Sequence, residues 1–405
     1  MKIFRRSVAA TAVAGLLLTG GLLAPAPAAP LKGEGKNLKI IANIDYRGGT
    51  DMEFVTIKGR DYAIAANGVA PADEKRAGLH VIDITNPEKP KEVGFAGCRM
   101  NQGDIQISHD KKYAYMAADS APGPEGCLSV GKRGFQVFDI RNPKKPKPVG
   151  VADTGNVGSH NMTAHPTKPY VYNSSSSLAG VGSIQIWNVK NPKKPEMVKT
   201  FPSLPHAPHD ISFNSDGTKI VTAAISHIDI FDTTDVESPS LMISTQCPGC
   251  SITHDAKFTP DDSGLIVGDE GGGGGTYPCP GGALYFYQLQ GGFVPVLTGI
   301  YEPDRVVFPR EGQQAAGACT SHVFDISDDG KEVAISWYSA GTRHLNVEAM
   351  TGLAFGENAA GGVEELGWFQ PDGGSSWSSK FYKGTKYIYS NDIQRGFDVF
   401  KVVTD

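Results

Sequence analysis

The stretch Gly78-Leu79-His80-Val81-Ile82-Asp83-Ile84-Thr85-Asn86-Pro87-Glu88-Lys89-Pro90, followed by Lys91-Glu92-Val93-Gly94, decides the fold because it recurs. A second copy is Gly134-Phe135-Gln136-Val137-Phe138-Asp139-Ile140-Arg141-Asn142-Pro143-Lys144-Lys145-Pro146, and a third is Ser183-Ile184-Gln185-Ile186-Trp187-Asn188-Val189-Lys190-Asn191-Pro192-Lys193-Lys194-Pro195. Looser copies are centred on Ile230, Phe286, His344 and Val399. With Val81, Val137 and Ile186 these make seven equivalent positions, at intervals of 56, 49, 44, 56, 58 and 55 residues. Repeats of that size signal a propeller or a solenoid.

Within each unit β-branched and aromatic residues alternate with polar ones, and Asn-Pro or Asp-Gly marks the turns. Upstream of the third and fourth motifs lie hairpin patterns, Asn161 to Tyr172 and Asp210 to Val221, each closed by a short polar turn. Together with the strand after each Asn-Pro turn, the unit has four antiparallel strands, which is a propeller blade. The seventh unit ends at Val403 without a fourth strand, while Leu38-Lys39-Ile40-Ile41-Ala42-Asn43-Ile44 precedes the first unit unpaired. The sequence therefore predicts an all-β, seven-bladed β-propeller whose N-terminal strand closes the last blade and removes the exposed edges. A linear solenoid would need polar capping units, and none is visible.

Ahead of the repeats, Lys2, Arg5 and Arg6 precede an uncharged stretch from Ser7 to Leu23 and the small-residue run Ala24-Pro25-Ala26-Pro27-Ala28-Ala29. This reads as a signal peptide over residues 1–29, leaving residues 30–405 as a single propeller domain that is secreted, periplasmic or held at the cell envelope. No later apolar run is long enough for a membrane span. The 49 Gly, 27 Pro and 20% charged residues describe a turn-rich chain, and a net charge of −5 recommends no nucleic-acid partner. The expected form is a monomer.

The recurring motifs resemble those of the LVIVD-repeat family of bacterial surface and secreted propellers, whose name describes a strand such as Leu79-His80-Val81-Ile82-Asp83. The resemblance covers most of the chain beyond the leader, strongly in units one to three. It implies a fold rather than a reaction, because propellers host binding modules and unrelated enzymes alike.

Aligning the blades on the first hairpin exposes a histidine register. Ser159-His160-Asn161, Pro208-His209-Asp210, Thr253-His254-Asp255 and Ser321-His322-Val323 place an imidazole at the start of the innermost strand of blades three to six. Innermost strands line the central channel, so His160, His209, His254 and His322 should face one another near one mouth. Such an arc suits copper, iron or zinc with positions left open. In outline it is similar to other propeller metalloenzymes with axial histidine sets, although no motif of those families is present. The same register also fits a hydrogen bond from each imidazole to the neighbouring blade, inherited by duplication. Gly103 stands at the aligned position of blade two. His165 and His109 fall at the opposite end of the inner strand and read as surface turn residues, whereas His206 sits close enough to His209 to join the arc. His80, His227 and His344 belong to third strands and read as packing or surface residues.

Loops leaving the second strands emerge on the same mouth and carry Asn67, Asp119, Asn173, Asp269, Glu270, Asn391 and Asp392. Asp269 and Glu270, in the blade of His254, are the candidate catalytic carboxylates, able to complete a metal shell or act as general base. They also fit a solvated pair opening the glycine run Gly271 to Gly275. Trp337, Tyr338, Trp377 and Tyr277 should offer aromatic walls to a small organic ligand. Six cysteines suit three disulfides in an exported protein. Topology predicts a Cys98–Cys127 bond, and Cys247 and Cys250 are expected to reach Cys279 and Cys319.

Two functional classes follow. One is a metal-dependent secreted enzyme working at the histidine arc on a small molecule. The other is a non-catalytic propeller binding an extracellular protein or glycan through its mouth-face loops. No Gly-x-Ser-x-Gly elbow supports a serine hydrolase. The alignment puts the four histidines and all six cysteines on one face and assigns no role to the other.

Overall fold

The computed structural model describes residues 31–68, 74–119, 127, 133–155, 157–175, 182–201, 206–271, 281–303, 319–351 and 361–403. Residues 1–29, where the sequence predicts a signal peptide, lie outside this set, as do Tyr277 and Cys279. Seven antiparallel sheets form a seven-bladed β-propeller.

Blade one comprises Gly49–Ile57, Arg60–Asn67, Gly78–Asp83 and Lys91–Gly97, in that order from the axis outwards, and the later blades repeat it. The inner strands of blades two to seven are Gln102–Ile107, Asn161–Ala164, Asp210–Phe213, Thr253–Phe258, Phe324–Ile326 and Ser376–Phe381. Leu38–Ile44 pairs antiparallel with Gly396–Val402, so the N-terminal strand is the outer strand of blade seven and closes the ring. Gly33–Lys36 adds a further strand outside Glu364–Pro371 of blade six, which the sequence pattern did not announce. One extended segment thus covers the edges of two adjacent blades, and the turn between its two strands is made by Asn37 with φ 56°. Asparagine tolerates that left-handed conformation better than most residues.

A β-bulge verifies the sequence alignment of the repeats. In all seven blades the register between the third and fourth strands shifts directly after the aligned residue, after Val81, Val137, Ile186, Ile230, Phe286, His344 and Val399. The extra residue increases the local twist that lets flat strands stack as blades. The Asn-Pro segment then reverses the chain: Asn86 accepts the Lys89 amide on its carbonyl and the Glu88 amide on its side chain, and Asn142 and Asn191 repeat the first contact with Lys145 and Lys194. The glycine after each of the first two turns serves packing. A Cβ on Gly94 would lie 2.0 Å from the Pro143 carbonyl oxygen, and one on Gly150 2.0 Å from that of Pro192. Only glycine lets each outer strand reach the Asn-Pro turn of the next blade.

Apolar faces meet between blades, so the core is a ring of inter-blade clusters. Val81 and Leu79 of blade one pack with Ile105 and Met116 of blade two, and Ile228 and Ile230 of blade four with Leu265 and Tyr285 of blade five. Near the axis the contacts turn polar. Carboxylates on one inner strand accept an amide of the next: Asp104 Oδ2 from Met162 at 2.8 Å and Asp325 Oδ2 from Phe381 at 3.0 Å.

Cys98 and Cys127 are joined, as topology predicts. Cys247, however, is bonded to Cys250 and does not reach Cys279 or Cys319. The turn through Pro248 and Gly249, with φ 91° at the glycine, sets the two Cα atoms 5.5 Å apart, within ordinary disulfide reach. Cys319 is also disulfide-bonded.

Candidate metal centre

The four imidazoles that open the inner strands of blades three to six stand side by side. Ring centroids are 4.4 Å apart for His160 and His209, 4.2 Å for His209 and His254, and 4.1 Å for His254 and His322. His209, His254 and His322 are buried, and His160 is half-buried.

What each ring does with Nδ1 determines what it offers at Nε2. His160 Nδ1 lies 2.7 Å from Asp119 Oδ2, His209 Nδ1 3.1 Å from the His254 carbonyl, and His322 Nδ1 2.6 Å from the Trp377 carbonyl. Each partner can only accept, so each Nδ1 carries the proton and each Nε2 presents its lone pair in the neutral ring. This is the arrangement by which outer carboxylates and carbonyls orient metal-binding histidines. His160 Nε2 and His209 Nε2 sit 2.9 Å apart. Two lone pairs at that distance require a proton or a cation between them. His254 differs, because its Nδ1 is buried without a hydrogen-bond partner.

Glu270 supplies the carboxylate. Its Oε2 is 4.0 Å from His254 Nε2 and its Oε1 3.9 Å from His322 Nε2, while Tyr338 donates its hydroxyl to Oε1 at 2.7 Å. His209, His254 and Glu270 each bring one ligand atom to within 4.8 Å of the others, a spacing that an ion could close. Burial raises the Glu270 carboxyl above its usual range despite the Tyr338 hydrogen bond, and burial beside Glu270 holds the Tyr338 phenol well above its own. Burial, then the neighbouring imidazoles, push His209 and His254 well below the ordinary histidine value, and burial takes His322 down to about 3. Neutral imidazole is the form that binds metals.

The adjacent carboxylate has other work. Asp269 Oδ1 accepts the amides of Ser251 at 3.0 Å, Ile252 at 2.8 Å and Gly271 at 3.1 Å, so it fixes the loop that carries Glu270. Of the other polar residues that follow second strands, Asp119 reaches the arc through His160. Asn67 and Asn173 donate to backbone carbonyls of neighbouring loops, Asn391 donates to the Ala66 carbonyl in the second strand of blade one, and Asp392 caps amides of its own turn. The register could announce side-chain direction but not these partners, of which those of Asp119 and Asn391 lie 41 and 325 positions away.

Several single-residue expectations change. His165 is buried at 1% exposure rather than a surface residue, and its Nδ1 accepts the Thr167 and Lys168 amides at 3.1 Å each. His109 is exposed, as expected. His206 stacks on His227, with centroids 3.4 Å apart, instead of joining the arc. Trp337 is fully buried between blades, its Nε1 donating to the Gly281 carbonyl, so it offers no ligand wall. Tyr338 and Trp377 do lie against His322, at 4.6 and 4.4 Å between centroids.

A cavity of 420 Å³ runs along the axis from His160, His254 and His322 to Pro166, Ser215 and Pro260 in the turns at the far end of the inner strands. The cavity therefore reaches from the imidazoles to the turns of the opposite face. Its wall carries Asp51, Asp104, Asp210, Asp255, Asp325, Lys257 and Lys380.

Fold and site together define a seven-bladed propeller with a buried imidazole and carboxylate cluster on its axis. No protein-family model matches the chain, and no curated protein matches it. Solved structures share the architecture. The β-propeller domain of Cps50 (Swd1) from Myceliophteria thermophila is 11% identical with TM-score 0.61, covering 91% of this chain and 100% of that one. Hydrazine synthase from Kuenenia stuttgartiensis is 13% identical with TM-score 0.58, covering 85% and 93%. A functionally unknown protein from Desulfotomaculum acetoxidans is 15% identical with TM-score 0.54, covering 80% and 90%. At such identities the likeness extends to the fold alone.

Proposed function

We propose that this chain is an exported, monomeric propeller of the LVIVD-repeat kind and a metal-dependent enzyme. Its transition-metal centre, of copper, iron or zinc, is held by His209, His254 and Glu270, with His160 and His322 beside it. The observation that carries this reading is the anchoring of three Nδ1 atoms on oxygen acceptors, which turns the Nε2 lone pairs of His160, His209 and His322 into the cluster and sets those of His160 and His209 2.9 Å apart, where a cation would satisfy both. An ion with open positions there would supply Lewis-acid or redox chemistry. Tyr338 orients Glu270, which can move a proton where it is not a ligand. Trp377 and the channel wall exclude bulk water and leave space for a small molecule. The disulfides and the absence of a long apolar helix among the described residues are consistent with export.

Elemental analysis of protein purified without a histidine tag tests the proposal. About one equivalent of transition metal per chain is expected, lost in His209→Ala with His254→Ala. Absence of stoichiometric metal, both as purified and after incubation with copper, iron and zinc salts, would overturn it. A binding propeller acting through its mouth loops would then be the remaining reading.

A further inference from the structure

The turn that opens blade five carries chemistry that the metal centre does not use. Cys247-Pro248-Gly249-Cys250 lies directly ahead of the inner strand Thr253–Phe258, and its two cysteines are bonded to each other. A disulfide stabilises chiefly by restricting the unfolded chain, and the restriction grows with the loop it closes. Cys247 and Cys250 are 3 positions apart, against 29 for Cys98 and Cys127, so this bond restricts the unfolded chain far less.

Its two sulfurs are unequal. Pro248 and Gly249 are exposed and Cys250 is half-buried, whereas Cys247 is 1% exposed and sits in the cluster between blades four and five. An incoming thiolate therefore meets Cys250. On the inner side, the Tyr287 hydroxyl donates to Cys247 Sγ at 3.3 Å. Burial holds that phenol above its ordinary range, so it stays a donor at neutral pH. Such a hydrogen bond strengthens when the sulfur becomes a thiolate, and a stabilised leaving thiolate speeds exchange. Cys98 and Cys127, by contrast, are both buried.

The turn is also tied to the centre. The amides of Ser251 and Ile252, which directly follow Cys250, donate to Asp269 Oδ1 at 3.0 and 2.8 Å, and the Glu270 amide donates to the Ile252 carbonyl at 3.0 Å. The disulfide turn, the start of the His254 strand and the backbone of Glu270 thus form one hydrogen-bonded unit.

We propose that Cys247–Cys250 is a thiol–disulfide exchange site that accepts electrons from a dithiol, and that its opening loosens the loop holding Glu270. One thiolate of the dithiol attacks Cys250 Sγ, the sulfur–sulfur bond breaks, and Cys247 leaves as the thiolate beside Tyr287. The second thiolate of the dithiol then attacks its own partner sulfur in the mixed disulfide and releases Cys250. Two electrons pass: the dithiol becomes a disulfide, and the two protons it gives up end on Cys247 and Cys250. The exchange site stands apart from the transition-metal reading, and only its effect on metal retention rests on that reading.

Treating the native protein with dithiothreitol, quenching by alkylation and mapping the labelled peptides by mass spectrometry tests this. Cys247 and Cys250 should be labelled at least about tenfold faster than Cys98 and Cys127. Tyr287→Phe should slow their labelling about threefold. In the reduced protein, amide hydrogen exchange should rise at least about tenfold over residues 251–254 and 269–271 and stay unchanged in the inner strands of the other blades. Cys247→Ser with Cys250→Ser reproduces the open turn, and chelator competition should show its metal retention weakened about tenfold. If that variant does not fold, amide exchange of the reduced wild type carries the test. Labelling of Cys247 and Cys250 no faster than that of Cys98 and Cys127 would overturn the exchange site, and unchanged amide exchange after reduction would overturn its coupling to Glu270. Neither measurement needs a bound ion, so metal-free protein would remove the imidazole reading alone.

Discussion

The hydroxyl of Tyr338 donates to Oε1 of Glu270 at 2.7 Å, linking a turn of blade six to the loop that leaves the second strand of blade five. Asp269 ties that loop, through the Gly271 amide, to the Ser251 and Ile252 amides ahead of the inner strand, and Tyr338 fixes the Glu270 side chain. Tyr338→Phe should keep the packing of the ring against His322 and free the carboxylate to rotate. Outer partners of this kind are worth roughly 10–100-fold in metal affinity. Competition with a chelator should therefore show weaker metal retention by Tyr338→Phe, with an unchanged circular dichroism spectrum.

Asp119 plays the corresponding part for His160, accepting from Nδ1 at 2.7 Å. Asp119→Ala removes the anchor without touching the ring. Because His160 stands at the end of the arc and is half-buried, the loss should be milder than that of His209→Ala with His254→Ala. We expect metal affinity to fall by about tenfold, read by the same chelator competition. Full retention of affinity would separate His160 from the centre.

His165 should make the fold acid-sensitive. Burial, then the charge of Lys168, lowers its pKa to about 4, whereas an unfolded histidine titrates near 6.5. Between those values the unfolded chain binds the extra proton, so stability falls as pH drops through 6.5 towards 4. After allowance for solvent screening the loss is on the order of 1–2 kcal/mol. Thermal melts of the wild type and His165→Gln over pH 4–7 should show a shallower dependence in the variant.

Gly94 and Gly150 test how tightly adjacent blades close. A methyl group at either would meet a carbonyl oxygen of the next blade's turn, Pro143 or Pro192, at 2.0 Å. Since a backbone carbonyl cannot swing aside as a side chain can, Gly94→Ala and Gly150→Ala should each destabilise by about 1–3 kcal/mol. Urea unfolding midpoints would measure it. The mouth-face centre lies far from these turns, so metal content should be unchanged.

The architecture was legible because it is periodic. Repeated Val-Ile-Asp-Ile and Asn-Pro signals encode local structure directly, and the bulge after Val81 recurs at the six other aligned residues. The strand Gly33–Lys36 was not legible, since four residues with two glycines carry no β signal of their own and pair only because blade six offers an open edge.

The candidate site divides along the same line. Sequence by itself determined that His160, His209, His254 and His322 open equivalent strands, because repeat register is a one-dimensional property. Only the tertiary structure decided that Asp119, Tyr338 and the carbonyls of His254 and Trp377 orient the arc. It also separated Glu270, which faces the imidazoles, from Asp269, which caps a loop. Hydrogen bonds between blades join residues up to 68 positions apart in this cluster. No local pattern encodes such distances. The bulge at His254 likewise turns two consecutive side chains into one channel, against the alternation that a strand's sequence implies. Cys247 pairs with Cys250 for the opposite reason: a tight turn sets the Cα atoms of near neighbours 5.5 Å apart.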